Sequence, residues 1–530
     1  MTFYLHTYFK LRESLETKLE IEIQLTNASY GEEMLRSTQR DGGLAIVRVK
    51  PLGAGGGGVE SSAAGTGMRD GVDGAVFYSP GSTTVDVRTP HSIKTFSYPR
   101  HVVPPTTNNA RLFEEFLPHR IDAFFEGVNV NVLCYGQTGT GKTHTIFGSP
   151  GIMARAGRGD YGMSAADDYG LFPRALLDIY HRAQAMGGAP ACVLTCSVIE
   201  LAMYGNKCLF DTGRTQTKQG LVSPESYGVT IDKAAKPPKM YGMEEIVLES
   251  DADLLRTFAA VAARNTAGTG MNDSSSRSHC FATLMLYVKV GDDKVRVTRF
   301  QFVDLAGSER LKDASGTTDF RDTEQAFSGM LTNYSLTMLA QATNALVQQR
   351  ARERRRKRTP KPFSFRAYLF DLVILLSESL EGKALTTVCV CVSQAPANAT
   401  QAAFSLEFGA TFSKLNADGR GTPVRPATLG GLFEKYNAQR REAARVLAKG
   451  VPPKWVNVRM AQLTEARQML RVLQRLGVDV GDVVDVGGGG GGAATKASSS
   501  SGGRRRGSAS KMSRNSGSRR SGGTAGTGES

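Results

Sequence analysis

The stretch Val132–Thr145, VLCYGQTGTGKTHT, decides the fold predicted for this chain of 530 residues. Its members Gly136, Gly141, Lys142 and Thr143 fit the phosphate-loop pattern G-x-x-x-x-G-K-[ST]. The apolar run before it predicts a buried strand, and a helix is expected to begin near Gly141. A chance glycine-rich turn is the alternative. The order of strand, loop and Lys-Thr favours a phosphate-binding loop.

Each kind of residue in the loop has a physical reason to be there. Gly136, Gly139 and Gly141 let successive backbone N–H groups turn inward as an anion-binding nest. The N-terminus of the following helix would add the positive end of its dipole. Lys142 would place a charge on the outer phosphates, and the Thr143 hydroxyl would ligate Mg²⁺. The loop therefore predicts a nucleotide and Mg²⁺.

Two later stretches narrow the class of nucleotide-binding protein. Residues 272–279 read NDSSSRSH, a hydroxyl cluster around one Arg, and residues 302–309 read FVDLAGSE, a strand end followed by two acids and a Gly. With the phosphate loop, these stretches resemble the switch I and switch II motifs of kinesin motor domains, in the same order and at similar distances. The resemblance covers the chain from about Leu44 to Leu415.

The resemblance implies an α/β fold of the phosphate-loop NTPase type. It would have a mixed, largely parallel central sheet with helices on both faces. The bound nucleotide would be ATP. The metal ligands would be Thr143 and Ser276, with Asp304 holding the waters of the Mg²⁺. Hydroxyls and acids in turns also act as helix caps, which is the structural alternative for these residues.

The resemblance also implies catalytic roles in ATP hydrolysis. Arg277 and Glu309 would form a salt bridge between the two switches and order the attacking water, with Ser275 nearby. The Gly307 N–H would sense the γ-phosphate. Loss of that phosphate would release both switches, and the helix after switch II would carry the change to the surface that binds the track.

Further residues are expected around the nucleotide. Residues 45–52, AIVRVKPL, predict a strand and resemble the family's R-x-R-P element, with Lys50 in place of the second Arg. By position, Arg48, Pro51 and His144 would flank the adenine, although His144 also fits a partly exposed helix position. The loop residues expected to hold the phosphates are Gly136, Gln137, Thr138, Gly139, Thr140, Gly141, Lys142 and Thr143.

The charge is unevenly distributed along the chain. The formal net charge is +15, and residues 420–530 carry 20 Lys/Arg against 7 Asp/Glu, which leaves about +2 for residues 1–419. Such a basic tail seeks acidic polymers: tubulin, RNA or anionic lipid. The sequence contains no run of about 18 apolar residues, so no membrane span is expected. The seven scattered cysteines are typical of a reducing, cytoplasmic setting.

The predicted organisation has four parts. They are an N-terminal extension (1–43), a kinesin-like motor domain (44–415) with a disordered insertion (53–74), a basic helical neck-like region (416–480), and a disordered Gly/Ser/Arg tail (481–530). In the third part, a seam of Leu463, Ala466, Leu470 and Leu473 extends over only two heptads. It fits packing against the motor as well as dimerisation.

The predicted partner is the microtubule. Arg350–Lys361 holds eight basic residues and one acid, and it falls in the loop that faces the track in kinesins. A solvated charge run or a localisation signal is the alternative. Two departures weaken the resemblance: Tyr334 replaces a family Lys, and residues 367–372, AYLFDL, replace a polar D-S-K-L-T.

The function predicted is therefore an ATP-hydrolysing, microtubule-binding motor of the cytoplasm and cytoskeleton, with unknown cargo. The first rival is a non-motile structural protein that binds microtubules through its basic loop and tail. A nucleic-acid binder is the second rival, although the tail lacks the interleaved aromatic residues of base stacking.

Overall fold

The computed structural model describes residues 43–50, 74–78, 83–98, 101–160, 167–202, 205–210, 229–232, 239–266, 278–308, 323–357, 359, 361–368, 370–415, 421–450 and 453–481. The predictions for the N-terminal extension, the 53–74 insertion and the Gly/Ser/Arg tail lie almost entirely outside these residues. Residues 267–277, which include most of the switch I motif, and Glu309 also lie outside them. Among the described residues, no helix combines the length and apolarity needed to cross a bilayer.

The described residues form fifteen strands. They are β1 Gly43–Lys50, β2 Val76–Phe77, β3 Thr84–Arg88, β4 Ile93–Ser97, β5 His101–Val103, β6 Val130–Tyr135, β7 Cys192–Ala202, β8 Gly205–Cys208, β9 Thr230–Asp232, β10 Lys239–Tyr241, β11 Ile246–Val247, β12 His279–Val290, β13 Lys294–Asp304, β14 Leu385–Ser393 and β15 Ala427–Thr428.

Twelve α-helices accompany these strands in the described part of the chain. They are α1 Asn109–Phe116, α2 Pro118–Glu126, α3 Lys142–Ile146, α4 Ile152–Gly157, α5 Leu171–Ala185, α6 Asp251–Thr266, α7 Thr323–Arg355, α8 Asp371–Leu375, α9 Ser377–Leu380, α10 Ala399–Ser413, α11 Leu429–Ala448 and α12 Pro453–Arg475.

One mixed sheet organises the fold, in the strand order β11-β7-β12-β13-β6-β14-β1-β5. From β13 through β6, β14 and β1 to β5, each strand pairs parallel with the next, whereas from β11 through β7 and β12 to β13 each pairs antiparallel with the next. Helices pack against the sheet along its length. The mixed α/β architecture is the one predicted from the phosphate loop and the family resemblance.

Strand β6 lies in the middle of the sheet, parallel to β13 on one side and β14 on the other. All six of its residues are buried, as expected of a strand with neighbours on both edges and helices over both faces. Its register pairs Cys134 with Asp304 at the end of β13. The carboxyl ends of two parallel strands therefore bring the phosphate loop and switch II together.

The sequence also predicts a helix from the apolar spacing of residues 111–126 and a surface loop for the polar, Gly-rich residues 149–169, and the structure differs from both. The helical pattern of residues 111–126 forms two helices, because Leu117 ends α1 and Pro118 begins α2, where a missing N–H costs nothing. The Gly-rich region 149–169, predicted as a surface loop, contains α4. This helix packs so closely on α6 that a Cβ on Gly157 would lie 2.9 Å from the Ala259 nitrogen.

The segment 421–428, which we call the linker segment, follows the last helix of the motor region and lies along the sheet. The Val424 N–H donates to the Gly127 carbonyl at 2.8 Å, and the Thr422 N–H donates to the Lys383 carbonyl at 2.8 Å. Its end, β15, then pairs antiparallel with the start of β13. The sequence of this region did not predict such pairing.

Helices α11 and α12 form an antiparallel pair that we call the C-terminal hairpin. It packs on the antiparallel half of the sheet, where Ala466, Leu470 and Leu473 of α12 join a buried cluster with Val193 of β7 and Tyr287 of β12. The apolar seam noted in the sequence is therefore buried against the chain's own sheet. Of the two uses that the sequence left open, the structure contains the packing against the motor.

Candidate functional site

The phosphate loop needs its glycines for two different reasons. Gly136, Gly139 and Gly141 all have positive φ, at 150°, 78° and 95°. A Cβ on Gly136 would also lie 2.2 Å from the carbonyl oxygen of Cys391 on β14, whereas nothing lies within 4 Å of a Cβ on Gly139 or Gly141. At Gly136 the close approach of two strands excludes any side chain, and at the other two only the conformation matters.

Side chains of the loop fold inward on its backbone. The Lys142 ammonium donates to the Gln137 carbonyl at 2.9 Å, and the Thr140 hydroxyl donates to the same carbonyl at 2.7 Å. Lys142 is only 6% exposed. From the neighbouring β1, Lys50 donates to the Gly139 carbonyl at 2.9 Å. Two ammonium groups therefore lie at the loop, one buried within it and one at its rim.

The loop meets switch II at Thr143 and Asp304. The Thr143 hydroxyl donates to Asp304 Oδ2 at 2.7 Å, although 161 residues separate them in the chain. The other carboxylate oxygen, Oδ1, is buried and has no partner among the residues that the structure describes. A buried acceptor without a partner is costly, and this one belongs to the same carboxylate that accepts from Thr143 of the phosphate loop. Such an oxygen is suited to accept a hydrogen bond from a water molecule on a cation.

Arg264 of α6 is the second partner of Asp304. Its guanidinium donates to Oδ2 at 2.5 Å and to the Ser278 carbonyl at 3.0 Å, and both side chains of the ion pair are 1% exposed. Glu200 lies 3.9 Å from the Arg264 Nε and accepts a hydrogen bond from the Ser278 hydroxyl. This buried network joins Asp304, at the end of β13, to Ser278 of the switch I motif.

Sequence reasoning missed Arg264. A signal was present, because Phe258, Val261 and Arg264 repeat at helical spacing and place one Arg on the apolar face of α6. An Arg on a buried face needs an acidic partner. The sequence alone does not show that the partner is Asp304, since α6 and β13 meet only in the fold.

His279, the last residue of the switch I motif, bridges two further elements. The Ala306 N–H donates to His279 Nδ1 at 3.1 Å, so Nε2 carries the proton and donates to the Ser335 hydroxyl at 3.0 Å. Ser335 in turn donates to the Thr332 carbonyl of α7 at 2.6 Å. Switch I, switch II and α7 are therefore joined through one imidazole.

The ring of His279 is neutral. Its burial, followed by the nearby charges of Arg264 and Lys142, lowers the pKa of His279 to about 3. A neutral ring is also what its hydrogen bonds require, because Nδ1 must accept a hydrogen bond from a backbone N–H. A backbone hydrogen bond also ties switch II to the loop: the Ser308 N–H donates to the Gly136 carbonyl at 3.1 Å.

The residues expected near the adenine lie together beside the loop helix. Arg48 donates to Asn109 Oδ1 at 2.6 Å and to the Thr145 hydroxyl at 2.7 Å, and Asn109 donates to the His144 carbonyl at 2.9 Å. Burial, and then the charge of Arg48, lower the pKa of His144.

Pro51, the other residue expected near the base, lies outside the described residues. Among the remaining predicted residues, the structure brings Gly136–Thr143, Asp304 and Gly307 into one place. Ser275, Ser276, Arg277 and Glu309 lie outside the described residues, so their predicted roles stay predictions.

A cluster of three thiols lies behind the loop. The Sγ atoms of Cys134, Cys389 and Cys391 lie within 4.8 Å of one another, because β6 and β14 place Cys134 opposite Cys389. All three are buried. Sulfur donors suit soft metals such as Zn²⁺, whereas Mg²⁺ prefers oxygen, so this cluster is chemically separate from the predicted Mg²⁺ site.

The predicted track-binding surface is basic and partly aromatic. In the 350–361 run, the single acid Glu353 is buried and bonded to Arg350, while Arg352, Arg354 and Arg355 are exposed. Tyr334, which stands where the family has Lys, is 50% exposed and packs edge-on against Phe370 with their ring centroids 5.4 Å apart.

A buried strand, a glycine loop and a short helix, next to an Asp at the end of a parallel strand, define a phosphate-loop nucleotide-binding fold. The kinesin motor domain family model matches residues 76–415, which is more than half of the chain. The chain therefore belongs to the kinesin motor-domain family, as its three motifs predicted.

Individual relatives agree with this assignment. Kinesin-like protein KIN-5A of Oryza sativa subsp. japonica is 29% identical over 318 residues, covering 57% of this chain and 26% of the relative. Kinesin-like protein cut7 of Schizosaccharomyces pombe is 29% identical over 350 residues, covering 60% of this chain and 28% of the relative. The matched region thus spans about a quarter of the length of these relatives.

Solved structures show the same fold. The structure of a fast kinesin has a TM-score of 0.53 at 21% identity, covering 72% of this chain and 94% of that chain. The dimer of KIF14 residues 391–772 in complex with a microtubule has a TM-score of 0.54 at 22% identity, covering 72% of this chain and 97% of that chain. These likenesses confirm the predicted fold class.

Proposed function

We propose that this chain binds ATP with Mg²⁺, hydrolyses it and couples the nucleotide cycle to microtubule binding as a kinesin-like motor of the cytoplasmic cytoskeleton. The observation that carries the proposal is the hydrogen bond between Thr143 and Asp304, beside the buried Lys142. This is the convergence of loop and switch II that phosphoryl transfer requires. Membership of the kinesin motor-domain family supports the same function.

The residues present fit Mg²⁺. Thr143 offers a hydroxyl, and Asp304 Oδ1 is a buried acceptor without a protein partner, which is the arrangement expected of an oxygen that holds a metal-bound water. Thr143 would ligate the cation together with Ser276, and Asp304 would hold its waters. When bound, Mg²⁺ would neutralise the charge that develops on the phosphates.

The remaining roles are binding the phosphates, positioning the attacking water and holding the base. Lys142 and the loop amides would hold the β- and γ-phosphates. Arg277 and Glu309, with Ser275, would position the attacking water, while the Gly307 N–H would contact the γ-phosphate. The base would rest against Arg48, Pro51 and His144.

The link from nucleotide to track would run through His279. It connects the end of switch I to the Ala306 N–H in switch II and to Ser335 in α7. A shift of either switch would therefore act on α7, whose C-terminal end carries the exposed basic residues. The microtubule is the proposed partner of that end, because its surface is rich in acidic residues that a basic helix end attracts.

The test is steady-state ATP hydrolysis by the full chain, with and without microtubules. Lys142→Ala should weaken nucleotide binding, since it removes the buried charge of the loop. Glu309→Ala should keep binding but stop turnover. Lys383→Ala is a matched control, because its side chain is 58% exposed and pairs with Glu381. Turnover by Glu309→Ala at the parent's rate would refute the assignment of the switches.

A second candidate is a non-motile protein that binds microtubules mainly through charge. The Tyr334–Phe370 contact favours it, because aromatic groups replace polar residues at the family's track-binding surface. Removing residues 482–530 separates the candidates. A motor would keep microtubule-stimulated ATPase activity without this tail, whereas a protein tethered by charge would lose binding at moderate salt, where exposed charges are screened.

A further inference from the structure

A cavity of about 360 Å³ lies under the C-terminal hairpin, away from the nucleotide loop. Its floor is the sheet, where three pairs of directly opposed residues on β12 and β13 face the same side: Thr283 with Gln301, Met285 with Arg299, and Tyr287 with Val297. Because side chains alternate along a strand, this face is the one opposite to Ala282 and Leu284. The volume lies in the range of small-molecule sites.

The roof of the cavity is the hairpin itself. Glu465, Gln468, Met469 and Val472 recur at the spacing of one helical face of α12, and α11 adds Leu432, Lys435 and Tyr436. One wall comes from α8 and α9 and the other from the segment after β10. The site thus depends on the hairpin, which lies beyond residue 415, the end of the match to the motor domain.

The lining is mostly apolar but contains two buried polar atoms without protein partners. Gln301 is 2% exposed, and although its Nε2 donates to the Thr283 hydroxyl at 3.1 Å, its Oε1 has no partner. The Nε of Arg299 is likewise buried and unpartnered, while its Nη2 donates to Glu378 at 2.5 Å. A lone acceptor such as Gln301 Oε1 is costly unless a donor reaches it.

The charges around the cavity restrict the ligand. Three carboxyl groups line it, those of Glu245, Glu378 and Glu465, against two basic groups, those of Arg299 and Lys435. Burial, and then the charge of Glu465, raise the pKa of Glu245, which accepts hydrogen bonds from Thr195 and Tyr287. An anionic ligand would meet more acidic than basic groups. A cation would gain little, because Glu378 is already paired with Arg299 and the raised pKa of Glu245 favours its neutral form, so a neutral ligand fits better.

Four methionines give the cavity its apolar character: Met240, Met243, Met285 and Met469. Methionine side chains are flexible and polarizable, and they adapt to flat aromatic molecules through sulfur–ring contacts. We propose that this cavity is a binding site for a small, neutral, aromatic molecule whose hydroxyl group donates a hydrogen bond to Gln301. The site is independent of the proposed ATPase function.

The probes are three biphenyls that differ in one substituent, titrated against the full chain by saturation-transfer NMR. We expect 4-hydroxybiphenyl to bind about tenfold tighter than 4-fluorobiphenyl, which cannot donate to Gln301. Biphenyl-4-carboxylate should bind more weakly than both. Equal affinities for the hydroxyl and fluoro compounds, or no saturable binding by 4-hydroxybiphenyl, would overturn the proposal.

Two variants locate the site. Met469→Trp should fill the cavity and weaken 4-hydroxybiphenyl binding at least tenfold, whereas Met186→Trp, at an exposed position outside the cavity, should leave it unchanged. Gln301→Leu should abolish the preference for hydroxyl over fluoro. Each variant is first melted without ligand to check folding, and if Met469→Trp does not fold, the nearly isosteric Gln301→Leu decides. An unchanged preference in Gln301→Leu would refute the assignment.

Discussion

Replacing Arg264 by Met tests the buried network that joins α6 to switch II. Both Arg264 and Asp304 are 1% exposed, and 2.5 Å separates Nη1 from Oδ2. The variant keeps an unbranched apolar stem but removes the guanidinium, so the buried Asp304 carboxylate keeps the Thr143 hydroxyl as a donor and loses its cation. Removing one member of a buried ion pair costs about 3–5 kcal/mol, a large part of the stability of an ordinary domain.

The assay is urea unfolding followed by circular dichroism. With a slope of about 3 kcal/mol per molar urea, the expected loss moves the unfolding midpoint down by about 1 M or more. Arg445→Met is the matched control, because Arg445 pairs with Glu442 at the surface, where both side chains are at least half exposed. That variant should unfold at the parent's midpoint, since exposed pairs contribute little.

A double variant sharpens the test. Asp304→Asn alone removes the carboxylate nearest to the buried Arg264 charge, so combining it with Arg264→Met should cost less than the sum of the two single changes. Arg264→Met should also weaken Mg²⁺-nucleotide binding, because Asp304 would lose the partner that orients it. An Arg264→Met midpoint equal to that of Arg445→Met would refute the reasoning.

Three further predictions use the same measurement. His279 has a pKa of about 3 in the fold, so from pH 6.5 downward only the unfolded chain takes up its proton. The contribution of His279 to the free energy of unfolding should be complete above pH 6.5 and fall by about 1.4 kcal/mol per pH unit between pH 6.5 and about 3. His279→Gln should remove that part of the pH dependence, and an unchanged dependence would contradict the prediction. Gly136→Ala should destabilise the fold far more than Gly139→Ala, because only the first places a Cβ 2.2 Å from a carbonyl oxygen. Similar unfolding midpoints would contradict this and would mean that β14 moves to make room for the methyl group. Leu473→Ala should cost about 2–5 kcal/mol, since Leu473 is fully buried under the hairpin, and a negligible cost would mean that the hairpin is not docked.

The parts that the sequence predicted well are those fixed by local chemistry. The phosphate loop is local, because positive-φ glycines, a buried strand and Lys-Thr occur within 14 residues. The sequence Gly291-Asp292-Asp293 likewise predicts a hairpin turn from adjacent residues, and β12 and β13 pair on either side of it. The meeting of Thr143 with Asp304 followed from the order of motifs in a known family.

The parts that it missed depend on tertiary contacts. Gly157 reads as a loop residue until α6 is placed against it, and then its missing side chain explains the close packing of α4. The seam of α12 fits packing on the motor and dimerisation equally well in the sequence, and its contact with β7 and β12 becomes visible only in the fold. The cavity under the hairpin has no signal in the sequence, because its lining comes from segments spread between Met240 and Val472.

The way in which the hairpin is attached determines how the molecule bears mechanical load. The Leu429 N–H donates to the Asp293 carbonyl at 2.6 Å, and at the far end Arg475 pairs with Glu249. A pull on the chain after residue 481 would therefore reach the antiparallel half of the sheet through α12 before it reached the linker segment. Such a pull would expose the apolar side chains between hairpin and sheet one after another. The force needed to detach the hairpin should therefore rise in sulfate, which strengthens apolar burial, and should not rise in a salt that only screens charge.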